Sequence, residues 1–347
     1  MTRILAVRLD SDGDVLLTGP ALRALANGAE RLDLLVSPAG EHAARLLPDI
    51  DDVLVFDAPW SGYRPPRLEL TVVTELLAQL RRDSYHRAVV FTSFHQSPLP
   101  MALLARMAGI PYIAATSEDY PGSLLDLRHR RDGGHEVEAA LDLAHATGGR
   151  LPAGDDGLLA VRRPLPGVSS LVPPGPFVVV HPGAAVPSRA LRGDHARQIV
   201  AALLEQGWDV VVTGVEADTA LVRQAAAGAT DLSGRTTLAE LAGVLDRARC
   251  VVVGNTGPAH LAAAVGTPVV SMFSPVVPAE RWAPYGVPSI VLGDQTAPCR
   301  ATRARECPVP GHPCLSDVDP GLVAAAVEAL TRPTASARQT LRMGGAA

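Results

Sequence analysis

The chain has 347 residues, 47% of them hydrophobic, and a formal charge of −5 at pH 7; that is apolar material for two cores, without the basic stripe that nucleic-acid binding requires. All 31 basic residues are arginine, which excludes a lysine Schiff base and the lysine-bearing phosphate loop of nucleotide hydrolases. Apolar runs fall short of the roughly 18 residues of a membrane span, and Met1-Thr2-Arg3 leads directly into a strand instead of a signal-peptide core, so the expectation is a cytoplasmic protein.

In chain order, the first half alternates apolar runs with helical periods. The runs are Ile4 to Leu9, Leu32 to Val36, Val53 to Phe56, Ala88 to Phe91 and Tyr112 to Ala114. The clearest helical segments are Val15 to Ala26, Thr71 to Arg82 and Pro100 to Met107, followed by one over Gly133 to Thr147. Such alternation predicts a parallel sheet covered by helices on both faces. The stretch RRPLPGVSSLVPPGP, Arg162 to Pro176, carries five prolines and no period, and reads as a linker.

The second half repeats the rhythm. Strands are expected at Phe177 to His181, Asp209 to Thr213, Cys250 to Val253, Pro268 to Phe273 and Ser289 to Leu292. Helices are expected at Asp194 to Gln206, Asp218 to Ala226, Pro258 to Val265 and Pro320 to Leu330. The expected division is therefore 1–161, linker 162–176, a second domain 177–332 and a frayed tail 333–347. Two doubly wound domains would face each other across a cleft suited to a reaction between two bound molecules.

The most informative stretch is CVVVGNTGPAHLAAAVGTPVVSMFSP, Cys250 to Pro275. A strand stops at Gly254-Asn255-Thr256-Gly257 and a helix follows at once, which leaves backbone N–H groups free to hold an anion. In the first half, Asp10-Ser11-Asp12-Gly13-Asp14 lies between a strand and a helix. Its carboxylates begin like a calcium loop, but the twelfth position is Ala21 instead of Glu, and the helix starts too soon. Asp10-Ser11-Asp12 also matches a manganese-binding DxD pattern, which is only two letters long. Asp14 reads both as a helix N-cap and as a general base at a strand end, and the two are compatible.

Four segments in order, RILAVRLDSDGDVLLTGPALRAL, VVVHPGAAVPSRAL, TGVEAD and GNTGPAHLAAAVGTPVVSMFSPVVPAERWAPYG, resemble glycosyltransferase family 9, the ADP-heptose heptosyltransferases of lipopolysaccharide assembly. The likeness runs over roughly residues 3 to 330. It implies an α/β fold of GT-B type, two Rossmann-like doubly wound parallel-sheet domains facing a central cleft, with the acceptor side in the first and the nucleotide-sugar donor in the second. It implies inverting, metal-independent transfer with no cofactor, the nucleotide sugar being a co-substrate. Asp14 matches the catalytic base. Thr256, Gly257 and His260 match the donor diphosphate site, Arg189 beside Ser188 the basic residue at the donor phosphate, and Glu216 the acid at the ribose. His181 and Gly183 are expected to line the donor site.

The chain departs from the family at Asn255, where Asp is usual, and at Leu191-Arg192, where a Trp-Pro pair is usual. Asn255 is therefore assigned to the donor site as the position that would alter donor identity. Cys299, Cys307, His312 and Cys314 form C-x7-C-x4-H-x-C; a Cys3His zinc set is chemically feasible, yet the usual short Cys-x-x-Cys clip is missing. The reading adopted is no metal, with an inert or redox-sensitive loop whose three arginines could instead meet an anion. The expected partners are an ADP-heptose-like donor and a glycan, glycolipid or small-molecule acceptor, met in the cytoplasm or at the inner membrane face. The alternatives are a donor-only sugar-nucleotide hydrolase or epimerase and a binding protein without turnover.

Overall fold

The computed structural model describes residues 2–332 apart from 63, 94 and 227; the tail expected over 333–347 lies outside the described residues. The first sheet is built from β1 (Arg3–Arg8), β2 (Arg31–Val36), β3 (Asp52–Val55), β4 (Arg87–Phe91), β5 (Tyr112–Thr116) and β6 (Leu127–His129). All its pairings are parallel, in the order β3-β2-β1-β4-β5-β6. The second sheet holds β7 (Phe177–His181), β8 (Asp209–Val212), β9 (Thr230–Asp231), β10 (Cys250–Gly254), β11 (Val269–Met272) and β12 (Ser289–Leu292). Its pairings are also parallel, in the order β12-β11-β10-β7-β8-β9.

Read from the opposite edge, the second order is the first again, the Rossmann arrangement in which the chain reverses direction beside the opening strand. The switch points therefore fall between β1 and β4 and between β7 and β10. Ligands in such sheets sit beyond the carboxyl ends of the strands there. The strands are apolar on both faces because helices cover both, as Cys250–Gly254, buried throughout, illustrates.

The helices are α1 (Asp12–Ala26), α2 (Glu41–Leu46), α3 (Leu70–Asp83), α4 (Leu99–Met107), α5 (Glu136–Ala146), α6 (Gly193–Glu205), α7 (Thr219–Ala225), α8 (Leu238–Arg247), α9 (Gly257–Val265), α10 (Ala279–Trp282), α11 (Pro313–Ser316) and α12 (Pro320–Thr331). Helix α1 begins three residues before the expected Val15, with Ser11 in the N-cap position. Asp14 is thus a first-turn residue and not the cap. Helix α8 was absent from the expected elements although Thr237 and Glu240 close a capping box at its start. The short edge strands β6 and β9 were absent too, having too few apolar residues to make a run.

The chain divides into two compact units. One comprises Met1–Pro166 together with Thr256–Val265 and Pro278–Gly286; the other comprises Gly167–Asn255, Gly266–Val277 and Val287–Ala347. The first unit has a core that includes Leu5, Val7, Leu35, Leu80 and Ile113. The second is centred on Val178, Val180, Ile199, Val212, Val252 and Val327. Each such side chain contributes about 1.5–3 kcal/mol on burial.

Within the first unit, α1 is buried from Val15 to Leu25, as expected of a helix that is apolar all round. The segment Pro278–Gly286 is held there by His135, whose Nε2 lies 2.9 Å from the Ala283 carbonyl oxygen and whose ring packs on Tyr285 with centroids 4.8 Å apart.

Candidate active site

In the first unit, β1 ends in Arg8, 2% exposed. A guanidinium at the end of a central strand must be paired to be tolerated there. Its Nη2 donates to Asp14 Oδ1 at 3.1 Å and to Ser93 Oγ at 3.0 Å. Its Nε lies 2.9 Å from Asp10 Oδ2, and Glu136 Oε2 is 3.9 Å from Nη2. Ser93 follows β4, so the cluster occupies the switch point.

The surrounding groups are committed in turn. Gln96 Nε2 donates to Asp10 Oδ1, and burial, only partly offset by Arg8, lifts the Asp10 carboxyl to about 6. Glu136, 2% exposed, receives both arms of the Arg131 fork, with Arg281 Nη1 4.0 Å away. Asp12 accepts the Ala43 N–H at 2.8 Å, and Ser11 Oγ donates to Asp14 Oδ2 at 3.2 Å. Asp14 itself remains partly exposed.

The start of α1 touches the start of α9. A Cβ placed on Gly13 would stand 3.1 Å from Gly257 Cα and 3.1 Å from His260 Cδ2. Glycine at 13 lets the two helix ends meet this closely without a neighbour having to give way. His260 is buried, Thr256 and Gly257 are half-buried, and Thr256 O accepts the Ala259 N–H at 3.0 Å. Four predicted residues, Asp14, Thr256, Gly257 and His260, are therefore brought together in one unit, along with the amide-rich first turn of a nine-residue helix.

In the second unit, β7 ends in His181, whose Nδ1 lies 2.9 Å from Thr213 Oγ1. Burial lowers its imidazole to about 4, so it is neutral at physiological pH. Gly183 lies against Asp218: a Cβ at 183 would stand 2.2 Å from Asp218 Oδ2, so the carboxylate would have to turn away. Desolvation raises the Asp218 carboxyl. Sequence reasoning had given Asp218 no part in the site, although an acid two residues past Glu216, after a strand-ending glycine, is a visible signal. Glu216 is exposed and its carbonyl accepts from Thr219 Oγ1 at 2.6 Å.

Ser188 is fully buried; its hydroxyl donates to the Ala304 carbonyl at 2.6 Å and its N–H to the Arg305 carbonyl at 3.0 Å. The hydroxyl is thus turned to the cysteine-containing loop. Arg189 follows, half-buried, and its carbonyl oxygen would lie 2.5 Å from a Cβ on Gly254. Gly254→Ala is accordingly expected to cost roughly 1–3 kcal/mol, read as a lower Tm by circular dichroism. An unchanged Tm would show that the 187–189 turn is not seated on the strand end.

Asn255 is 4% exposed and both ends of its amide are used. Nδ2 donates to the Ser274 carbonyl at 3.2 Å and Oδ1 accepts the Ser274 N–H at 3.1 Å. It ties the end of β10 to the residues after β11.

The cysteines are all free. Cys250, Cys299 and Cys314 belong to the second core, and burial pushes the thiols of Cys250 and Cys314 up to about 12 and about 11. Among the described residues, no group of three or more His, Cys, Asp or Glu side chains is placed to hold a metal ion, and no helix is long and apolar enough to cross a membrane. Arg300, Arg303 and Arg305 are exposed.

Paired six-stranded Rossmann-like sheets are the architecture of the GT-B glycosyltransferases. Residues 73–312 match glycosyltransferase family 9 (heptosyltransferase), and the chain belongs to that family. It is 36% identical over 104 residues to lipopolysaccharide heptosyltransferase 3 of Escherichia coli K12, covering 28% of this chain and 30% of that protein. It is 31% identical over 218 residues to lipopolysaccharide heptosyltransferase 1 of Pseudomonas aeruginosa PAO1, covering 59% and 60%. Each match therefore spans less than two thirds of the relative's length. The ADP-heptose lipopolysaccharide heptosyltransferase II of E. coli superposes with a TM-score of 0.70 at 21% identity, over 95% of this chain and 98% of that one, a likeness of fold.

Proposed function

We propose that the protein transfers a sugar, heptose from ADP-heptose, to an acceptor hydroxyl by direct displacement with inversion at the anomeric carbon. Asp14 removes the acceptor proton as the oxygen attacks. The leaving diphosphate is met by the first-turn amides of α9, at Thr256 and Gly257, with His260 beside them. Arg189 adds a cation at the donor phosphates, where a guanidinium binds as a fork. Charge on the leaving group is thereby met by protein dipoles and arginine, so the reaction needs no metal ion. Glu216 receives the ribose hydroxyls, with His181 and Gly183 lining the donor pocket and Ser188 and Asn255 holding its backbone.

The observation that carries this reading is the seating of Gly13 against Gly257 and His260. It sets the candidate base one residue from an anion-binding helix end within a single compact unit. The name of the structural neighbour supports ADP-heptose as donor; the names of the curated relatives support a lipopolysaccharide-core acceptor. The working compartment is the cytoplasm, with a lipid-linked acceptor met at the inner membrane face. The division proposed along the chain is 1–161 and 177–332 about a 162–176 linker, with Thr256–Val265 and Pro278–Gly286 of the second half belonging to the first compact unit.

A thermal-shift series with ADP-heptose, UDP-glucose and ADP tests the donor. At a hundred times its dissociation constant, ADP-heptose is expected to stabilise the fold by about 2.7 kcal/mol, with UDP-glucose leaving Tm unchanged. A shift with UDP-glucose alone would replace the donor. Consumption of ADP-heptose in the absence of acceptor would favour a hydrolase.

A further inference from the structure

We propose that Arg8 is the positioning residue for Asp14, a buried guanidinium that aims the Asp14 carboxylate and keeps it charged while taking no part in contact with substrate. The inference rests on the reading of Asp14 as the base.

Arg8 sits below the Asp14 turn, 2% exposed, with one nitrogen shared between Asp14 Oδ1 at 3.1 Å and Ser93 Oγ at 3.0 Å. The two contacts fix the plane of the guanidinium, and Ser11 Oγ on the second Asp14 oxygen fixes the carboxylate. Two other acids stand near Arg8. Glu136 lies 3.9 Å away and is itself gripped by Arg131 and approached by Arg281. Asp10 is close, at 2.9 Å from Nε, but burial and Gln96 hold it, and its carboxyl takes up a proton at about 6. Asp10 and Asp14 thus share the Arg8 charge, each on its own nitrogen, Nε and Nη2.

The charged and titratable groups facing the pair come from every element around it. Asp10 after β1 and Glu136 on α5 stand at Arg8 itself; Arg131 before α5 and Arg281 on α10 stand at Glu136, and His260 on α9 lies against Gly13. Asp12, on the same helix, is turned to the Ala43 N–H. An opposite charge within about 4 Å commonly lowers a carboxyl by one unit or more. Arg8 Nη2 stands within that distance, 3.1 Å from Asp14 Oδ1.

The test is a carbon-13 NMR titration of the full chain labelled at aspartate carboxyls, with the Asp14 signal assigned by its loss in Asp14→Asn. In Arg8→Met the Asp14 midpoint is expected to rise by at least about one pH unit, and Arg8→Lys, which keeps the charge but not the fork, should fall between it and the parent. Should Arg8→Met fail to fold, the double variant Arg8→Met with Asp10→Asn removes one charge of each sign, and its Asp14 midpoint is expected to lie at least about one pH unit above that of Asp10→Asn alone. A folded variant with an unmoved Asp14 midpoint overturns the proposal, whatever its Tm, because a purely structural arginine would alter only the melt. Retention of sugar transfer by Asp14→Asn would instead remove the base reading, and would leave the titration result standing.

Discussion

Asp14→Asn is expected to slow sugar transfer by about 100- to 10,000-fold while binding of ADP-heptose stays near the parent value. The substitution is close to isosteric, and its carbonyl oxygen can still accept from Arg8, as Asp14 Oδ1 does at 3.1 Å. The first turn of α1 and the contact of Gly13 with Gly257 are unchanged by it. Under the proposed mechanism, what is lost is the ability to take a proton from the acceptor hydroxyl. Measurement of kcat and of donor affinity by calorimetry separates the two quantities. Near-parent kcat would remove Asp14 as base, and a collapse of donor affinity with normal kcat would make it a donor ligand.

The second large effect is expected at Asn255. Asn255→Asp replaces a donor–acceptor pair matched to the Ser274 N–H and carbonyl, at 3.1 and 3.2 Å, by a carboxylate that can only accept. Its second oxygen would then face the Ser274 carbonyl in a site 4% exposed, at a cost of roughly 2–4 kcal/mol. The protonated acid could donate where the amide did, so the folded state would prefer the proton and raise the new carboxyl above its unfolded value. Stability would then be retained below the unfolded carboxyl pKa and lost as pH rises through the folded one. Melts between pH 4 and 8 should show a Tm deficit that grows with pH. A deficit that shrinks, or a normal Tm with altered donor preference, would mean that Asn255 acts on the ligand and not as a brace.

This pair of residues shows what was legible in the sequence. The anion turn after β10 and the base candidate after β1 were visible because both lie where apolar strands stop at glycine and polar residues, and strand ends are where such folds bind ligands. The start of α1 was misplaced because Gly13 lowers helix propensity at the point where the helix in fact begins. The cluster around Arg8 was not legible: Ser93 and Glu136 are far from it in the chain and reach it through the parallel register of β1 with β4 and the packing of α5. Arg8 did leave a trace, as an arginine inside ILAVRL, a run otherwise apolar. Asn255 was readable as unusual but not as satisfied, since Ser274 lies 19 residues on and reaches it through the pairing of β10 with β11.

The first unit takes in Thr256–Val265 and Pro278–Gly286 from the far half of the chain. A gene fragment ending within the proline-rich stretch would encode that unit without α9, and would leave the Gly13 face of α1 bare. Recombination between relatives at the same stretch would not exchange self-sufficient modules. The incoming half would bring with it the helix end that stands against Gly13, so the setting of the first turn of α1 would change with it.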